Sequence, residues 1–531
     1  MYDYVIVGAG SAGCVLASRL SEDPNTTVLL LEAGMSDWNP FIHMPAGVGL
    51  LLKGKMFNWY FNTAPEKHLN NRRLYWPRGK TLGGSSSMNG MIYIRGHRAD
   101  YDHWGKDLGL AGWSYDDVLP YFRKSEDFFG GANEYHGTGG PLGITQDASG
   151  HMLFGLFKEA AKQAGLPPTQ DFNGAQQEGY GSYQLTIKNG ERQSTAVTFL
   201  NPAKKRPNLT VITRAHVKAV NIDGGRAIGV TYKHGSGTQT VSAKREVLLC
   251  AGAVQSPQLL MLSGIGDGAL LKKFGIPVKL HKPAVGQNLQ DHLDVMVQQH
   301  CTQPVSLYEQ TKLHNMILTL IQYFRTRTGI GASNGLEAGA FVKTDPSLAI
   351  PDVQLHFIPA FMLDHARETG PGHGYMLHAC QLRPRSKGFI GLASADPLAA
   401  PLIQPNYLAD PYDVEVLVKA VKIARKIFAQ PAFDPYRGKE EVPGEAVQTD
   451  EQLVQCVRQK AETIYHPVGT CRMGNDSDAV VDAECRVKGV AGLRVVDASV
   501  MPTLVGGNTN APTIMIAERT AAIMHAAGLT N

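Results

Sequence analysis

Hydrophobic and polar positions divide the chain into a strand–helix–strand opening, a long middle with several strand patterns, and a closing helix. Tyr4 to Val7 is a short apolar run rich in β-branched residues that stops at Gly8. Val28 to Leu31 is a second such run and ends in Glu32, and Ser11 to Leu20 between them has a helical pattern. Asp116 to Phe129 and residues 151–164 read as helices. From Asn208 onward the residues alternate as strands joined by a turn at Asp223, Gly224 and Gly225, and Val241 to Cys250 is a further strand with a buried end. Ala251 to Gly266 then reads as a loop feeding a helix. That repeats the opening architecture, so the first domain is expected to be interrupted by an insertion and to resume here. Val353 to Phe361, Gly374 to Leu382 and Phe389 to Pro397 are expected strands of a mixed or antiparallel sheet. Asp413 to Phe428 and Asp450 to Thr463 read as amphipathic helices, Leu493 to Asp497 as a short strand, and Thr513 to Ala527 as the closing helix.

The glycines after the first strand give this pattern its first chemistry. Gly8, Gly10 and Gly13 have the spacing G-x-G-x-x-G. In a β-α-β unit the first allows the tight turn, the second lets backbone approach a pyrophosphate at the helix N-terminus, and the third lets helix and strand pack closely. Glu32, at the end of the second strand, is placed to accept from ribose hydroxyls, and it disfavours a 2′-phosphate. The spacing alone does not separate FAD from NAD. A second glycine-rich stretch, Trp76 to Gly96, carries Gly79, Gly83 and Gly84 beside Ser85, Ser86 and Ser87, with Asn89 close behind. Small residues with available N–H groups suit a chain wrapped round a cofactor. The run from Met44 to Phe61 is apolar and holds Trp59 and Tyr60. It reads as a packed extension or lid, with an exposed membrane-touching loop as the rival. It lacks the dense Lys/Arg face of an interfacial helix.

Composition changes the picture mainly by exclusion. The 531 residues exceed one core, so two or more domains are expected. The net charge of +4 and the absence of a Lys/Arg block argue against nucleic acid. Seven cysteines without metal spacing point to free thiols and a reducing, cytoplasmic compartment. No secretory leader pattern precedes Tyr2, and no apolar run of about 18 residues could cross a bilayer. His292, between Asp291 and Asp294, lacks metal spacing and reads as part of a polar network between domains; no metal is expected. Cys471 lies near His466, but no thiol nucleophile is needed for the chemistry below.

Four segments together carry a resemblance: GAGSAG with Glu32, GKTLGGSSSMN (Gly79 to Asn89), GAVQSPQLLMLSGIG (Gly252 to Gly266), and the pair YHPVGTCRMG and NTNAPTIMIAER near the C-terminus. They resemble the glucose-methanol-choline (GMC) oxidoreductase family along nearly the whole chain. Within it the likeness is greatest to bacterial choline-dehydrogenase-like enzymes and dehydrogenases of aliphatic primary alcohols. The resemblance implies FAD, and an α/β, Rossmann-like FAD domain assembled from residues 1–150, 200–300 and 465–531. It implies a second α+β domain, 151–199 with 301–464, whose mostly antiparallel sheet roofs the substrate cavity. It places the catalytic pair at His466 and Asn510. It puts Gly8, Gly10, Gly13, Glu32, Gly83, Ser86, Asn89, Gly90, Met91, Val217, Asp497, Asn508, Thr509 and Thr513 around the cofactor. Some relatives attach FAD through a histidine where this chain has Met88, so non-covalent FAD is expected. The roof segment offers Phe357, Phe361 and Met362 as apolar substrate contacts, with Glu337 and Asp364 as candidate partners for a cation.

These residues fit oxidation of a primary alcohol to an aldehyde. A neutral histidine at His466 can take the hydroxyl proton, an amide at Asn510 can hold the oxygen but cannot be the base, and the flavin takes the hydride. The acceptor that reoxidises the flavin is expected to be a quinone, reached by peripheral contact with the inner face of a membrane, or oxygen. Rival readings are an alcohol oxidase, a choline dehydrogenase, and a lyase of the hydroxynitrile type.

Overall fold

Strand Tyr2–Val7 is buried from its second residue onward and lies inside the first of two seven-stranded sheets. In the computed structural model, which describes residues 1–363 and 367–528, this sheet runs Leu209–Ile212, Val28–Leu31, Tyr2–Val7, Gly237–Leu249, Arg226–His234, Ala215–Asp223. The first four pair in parallel and the last three form an antiparallel meander. The long strand Gly237–Leu249 joins the two regions: Glu246 to Leu249 lie beside Tyr4 to Val7, and residues before Ala243 pair with Arg226–His234. Leu493–Val495 adds in parallel to its far end. Val28 to Leu31 are all buried, as expected where helices cover both faces of a parallel sheet. Each such side chain contributes roughly 1.5–3 kcal/mol.

Helix Ser11–Leu20 follows the first strand with the expected bounds. A Cβ at Gly13 would stand 1.9 Å from the Gly8 carbonyl oxygen, so only glycine permits this approach of helix to strand. The closing helix Asn510–Gly528 packs along it. Arg19 donates to Glu518 across the pair at 2.7 Å.

The second sheet is antiparallel and runs Arg437–Val442, Leu293–Cys301, Gly374–Gln381, Val353–Ile358, Ala338–Val342, Gly179–Ser182. Strand Leu293–Cys301, which the sequence reading put at the end of a cofactor segment, pairs here. Other expectations shift as well. Phe389–Gly391 forms a small hairpin with Leu402–Gln404 outside the main sheet. Helix Asp450–Lys460 stops early, and Glu462–Thr463 pairs with Leu293 and Asp294. Helix Gly252–Leu262 starts almost directly after its strand, with little intervening loop. Helix Tyr115–Ser125 gives way to strand Glu126–Phe128, because Glu126 is drawn into a buried ion pair with Arg95 at 2.7 Å. All seven cysteines are free and buried. No helix among the described residues is long and apolar enough to cross a membrane.

Candidate active site and cofactor cavity

Between the two sheets lies a cavity of about 570 Å³. One half is built from the C-terminal ends of the parallel strands and the helix starts that follow them: Val7, Gly8 and Gly10, then Glu32, then Ala251 and Gly252. Three helix N-termini, at Ser11, Gly252 and Asn510, converge on it, which favours a ligand carrying negative charge. Gly10 tests the fit of a dinucleotide. A Cβ there would meet only the Cys250 carbonyl, at 3.9 Å, so the protein itself leaves room for a side chain. A bare backbone facing a cavity at a helix start is what a pyrophosphate requires.

The Glu32 carboxylate accepts from Ala9 N at 2.9 Å and Gly34 N at 2.7 Å, and burial pushes its pKa up to about 7 despite these bonds. Asp497 accepts from Ser256 Oγ at 2.6 Å and Gly252 N at 2.9 Å, and burial raises it too. Both line the cavity, as do Asn89, Gly90, Met91, Val217, Asn508, Thr509 and Thr513. Gly13, Gly83 and Ser86 do not. Gly13 serves the helix–strand contact. Gly83 N donates to Ala9 O at 2.7 Å, and Ser86 Oγ turns to Gly83 O at 2.6 Å and to Thr195. These two shape the loop, and their neighbours Gly84 and Ser85 face the cavity. Arg192, which the sequence reading passed over, clamps this loop: its guanidinium donates to Asn89 O at 2.7 Å and to Ile42 O at 2.8 Å. Met88 also lines the cavity.

At the other half stands His466, and its hydrogen bonds determine where its lone pair lies. His292 Nε2 is 3.1 Å from the Leu382 carbonyl oxygen, which can only accept, so this nitrogen carries the proton. Burial lowers the His292 pKa to about 3, so the ring is neutral and its Nδ1 is an acceptor. His466 Nδ1, 3.0 Å away, must therefore donate to it. Burial first, then the neighbouring His292, His356 and Arg78, hold His466 well below the usual histidine range. Its Nε2 is left as an unprotonated base, accepting from Asn508 Nδ2 at 3.1 Å. Asn508 Oδ1 in turn accepts from Gln354 Nε2 at 3.3 Å, which fixes the orientation of the amide.

The backbone under His466 is held as firmly. Tyr465 has a φ of 70°, a strained value for a non-glycine residue. Arg78 donates to Tyr465 O at 2.7 Å, and His466 N donates to Asp291 Oδ1 at 2.7 Å. Asp291 also accepts from Thr463 Oγ1 at 2.5 Å and from the Tyr407 hydroxyl. Burial and these partners leave its pKa near 6.

Asn510 lines the same cavity, but its Oδ1 accepts from Ser11 Oγ at 2.7 Å. The amide bonded to His466 is that of Asn508. Among the described residues no hydrogen bond uses Asn510 Nδ2.

The wall from the second sheet differs from the sequence reading. Met362 lines the cavity, whereas Phe357 and Phe361 do not. Side chains alternate along a strand, so His356 and Ile358 face the cavity. Phe357 goes to the opposite face, stacked on Phe157 with centroids 5.0 Å apart, and Phe361 packs against His300 at 5.0 Å. His356 has no hydrogen-bond partner at either ring nitrogen, and burial lowers its pKa to about 3. His378, directly across the ladder from His356, is ion-paired with Asp294. Burial would lower its pKa, but Asp294 outweighs that and raises it. Of the expected cation partners, Glu337 is bonded to Ser333 and Ser149 away from the cavity, and Asp364 lies outside the described residues. Cys471 is buried, its thiol pushed far up, and does not line the cavity. Among the described residues no group of three or more His, Cys, Asp or Glu could hold a metal ion.

The chain matches the family described as GMC oxidoreductase over residues 2–294 and again over 384–517. It is 49% identical to the alcohol dehydrogenase [acceptor] of Pseudomonas putida, covering 99% of this chain and 96% of that one. It is 48% identical to the mitochondrial choline dehydrogenase of Mus musculus, covering 98% and 89%. The solved structure of pyridoxine 4-oxidase from Mesorbium loti superposes with a TM-score of 0.90 at 32% identity, over 99% of both chains. GMC oxidoreductases bind FAD, and the chain belongs to this family.

Proposed function

We propose that this protein oxidises uncharged primary alcohols to aldehydes, with His466 as the base. The observation that carries the reading is the hydrogen-bond chain Leu382–His292–His466, which leaves the His466 Nε2 lone pair at the cavity. FAD supplies the hydride acceptor. The alcohol hydroxyl displaces the Asn508 amide from His466 Nε2, which then takes the hydroxyl proton, and the positive charge that forms is shared through Nδ1–H with His292. Asn510 Nδ2 is the donor for the alcohol oxygen, while Asn508 keeps the His466 ring oriented. His356, with two unpartnered nitrogens, offers a second polar contact near the carbinol. With no histidine at Met88, the flavin is held without a covalent bond.

Two features favour an uncharged substrate over choline. The carboxylates of the substrate half already have cations: Asp294 pairs with His378, and Glu462 lies 3.9 Å from Arg72. The aromatic rings of Trp59 and Tyr465 line the cavity, and Trp59 is edge-on to His216 beside Val217 at the cofactor end, so the described residues form no aromatic cage for a quaternary ammonium. Leu52, Leu307, Leu336 and Ile358 add aliphatic surface to the wall, beside the uncharged Thr311, Ser333 and Asn334.

Anaerobic mixing with hexanol, benzyl alcohol, a diol and choline tests this reading. Primary alcohols are expected to bleach the flavin absorbance faster than choline. If none of the alcohols bleaches it, oxidation is refuted and a lyase or structural role for FAD takes its place. Readmitting either oxygen or a quinone analogue identifies the acceptor, for which we propose a quinone.

A further inference from the structure

We propose that helix Leu313–Thr326 and the adjoining segment Pro40–Met56 form a face that docks on an anionic phospholipid bilayer, with the mouth of the substrate cavity beside it. The helix is inverted relative to an ordinary surface helix. It buries only Tyr323 fully, yet Leu313, Met316, Ile317, Ile321 and Phe324 recur at spacings of three and four and are exposed. Leu313 is 68% and Ile321 50% exposed, with Leu318 beside them. A globular helix turns such a stripe toward the core, and a contiguous apolar patch left outside marks an interaction surface.

The neighbouring segment completes the face. Tyr323 clusters with Met44 and Ala332, and Phe41, Ala46 and Leu320 pack against that cluster, so helix and segment are one unit. Leu50 and Met56 on that segment are also exposed.

Charge identifies the occupant. Neither Lys312 to Leu336 nor Trp38 to Pro65 contains an acidic residue, while Lys53, Lys55, Lys312, Arg325 and Arg327 do lie there. Lys312 and Arg327 are paired at the edge with Glu309 and Glu191, at 2.7 and 3.1 Å. An apolar stripe among cations matches acyl chains beneath anionic headgroups, which attract each nearby cation. A second copy of the chain would bring the same positive charges together. The face also leads into the cavity. Ala46, Val48 and Leu52 from the segment, and Thr311 and Ile330 from either side of the helix, line its wall. A lipophilic alcohol or acceptor dissolved in the bilayer would enter there.

The test is sedimentation of the FAD-loaded full chain with vesicles of phosphatidylglycerol and phosphatidylcholine, against phosphatidylcholine alone. The wild type is expected to sediment with the anionic vesicles, and the double variant Ile317→Glu/Ile321→Glu to bind at least about tenfold less. The variant should keep its melting temperature and its turnover of a water-soluble alcohol with a dye acceptor. Lys53→Ser/Lys55→Ser should weaken binding without changing the apolar stripe. The proposal fails if the wild type ignores anionic vesicles, or if the Ile317→Glu/Ile321→Glu protein binds as well as wild type. It also fails if the wild type is a dimer that the variant splits while neither binds lipid, which would assign the face to a second copy.

Discussion

Two buried histidine clusters in this protein are built on opposite plans. In one, His136 has a carboxylate at each ring nitrogen, Glu126 at 3.1 Å and Asp171 at 3.0 Å, and Arg95 joins Glu126 at 2.7 Å. In the other, His466 and His292 have a carbonyl, an amide and each other, and His356 has no hydrogen-bond partner; among the described residues no carboxylate bonds any of these ring nitrogens. Burial opposes the charged form of histidine in both. At His136 the two carboxylates overcome it and raise the pKa, whereas at His466 the neighbours add to burial and depress it. The first cluster commits both ring nitrogens of His136 to carboxylates and ties Arg95 to Glu126 and to the Tyr135 carbonyl, and so holds the scaffold. The second keeps His466 neutral beside a cavity, with its Nε2 held only by the Asn508 amide and Asn510 Nδ2 uncommitted, an arrangement suited to the proton transfer proposed above.

The largest effect should come from breaking the second cluster. His466→Ala is expected to slow flavin reduction by a primary alcohol on the order of 10²–10⁴-fold in anaerobic stopped flow. FAD should stay bound and the melting temperature nearly constant, because only hydrogen bonds of about 1 kcal/mol each are lost. An unchanged reduction rate would remove His466 as the base.

Breaking the first cluster should reverse the pattern. Glu126→Gln leaves the Arg95 guanidinium buried beside a neutral amide. It should cost roughly 3–5 kcal/mol in urea unfolding, about 10²–10⁴ in the folding equilibrium. The enzyme that remains folded should reduce its flavin within about twofold of wild type. A rate loss without a stability loss would mean that Arg95 and Glu126 serve the chemistry after all.

How far either cluster could be read beforehand depends on whether its constraint is local. The glycine turn and Glu32 were legible because strand, turn, helix and acid lie within one contiguous stretch. His466 was legible only through the resemblance, since as an isolated residue it sits in an unremarkable turn. Phe357 and Phe361 were chosen for being apolar, but the inward face of Val353–Ile358 belongs to the other phase, with His356. A polar residue in the alternation was the available signal. Asp294 and His378 were beyond reach, because their meeting depends on the register between strands 84 residues apart. The same limit hid the bond between Asn508 and His466: the resemblance put Asn508 at the cofactor, but its partner is set by how the last helix docks. The stripe on Leu313–Thr326 is readable as a helix, but its outward orientation emerges only when Tyr323 is seen to be its buried anchor.

The smallest effect, and the most discriminating, concerns pH. Free histidine titrates near 6.5. With the folded value of His466 well below that, and those of His292 and His356 near 3, all three stay neutral in mildly acid solution. The rate of flavin reduction at saturating alcohol should then change by less than about threefold between pH 8 and 6, with no acid limb at 6.5. A limb there would show that the base titrates as a solvated histidine and that the chain through His292 does not hold it neutral. Stability responds with opposite signs in the two clusters. The unfolded chain binds protons near 6.5 that His466, His292 and His356 refuse when folded. Their contribution is therefore present above 6.5 and lost as pH falls toward their folded values. His136 has a raised folded pKa, so its contribution is present below 6.5 and lost as pH rises through that value. Replacing His136 with glutamine should abolish an alkaline loss of stability and leave the acid one intact, measured as unfolding midpoints across the same pH range. If instead the acid loss disappeared, the charged and neutral clusters would have been assigned the wrong way round.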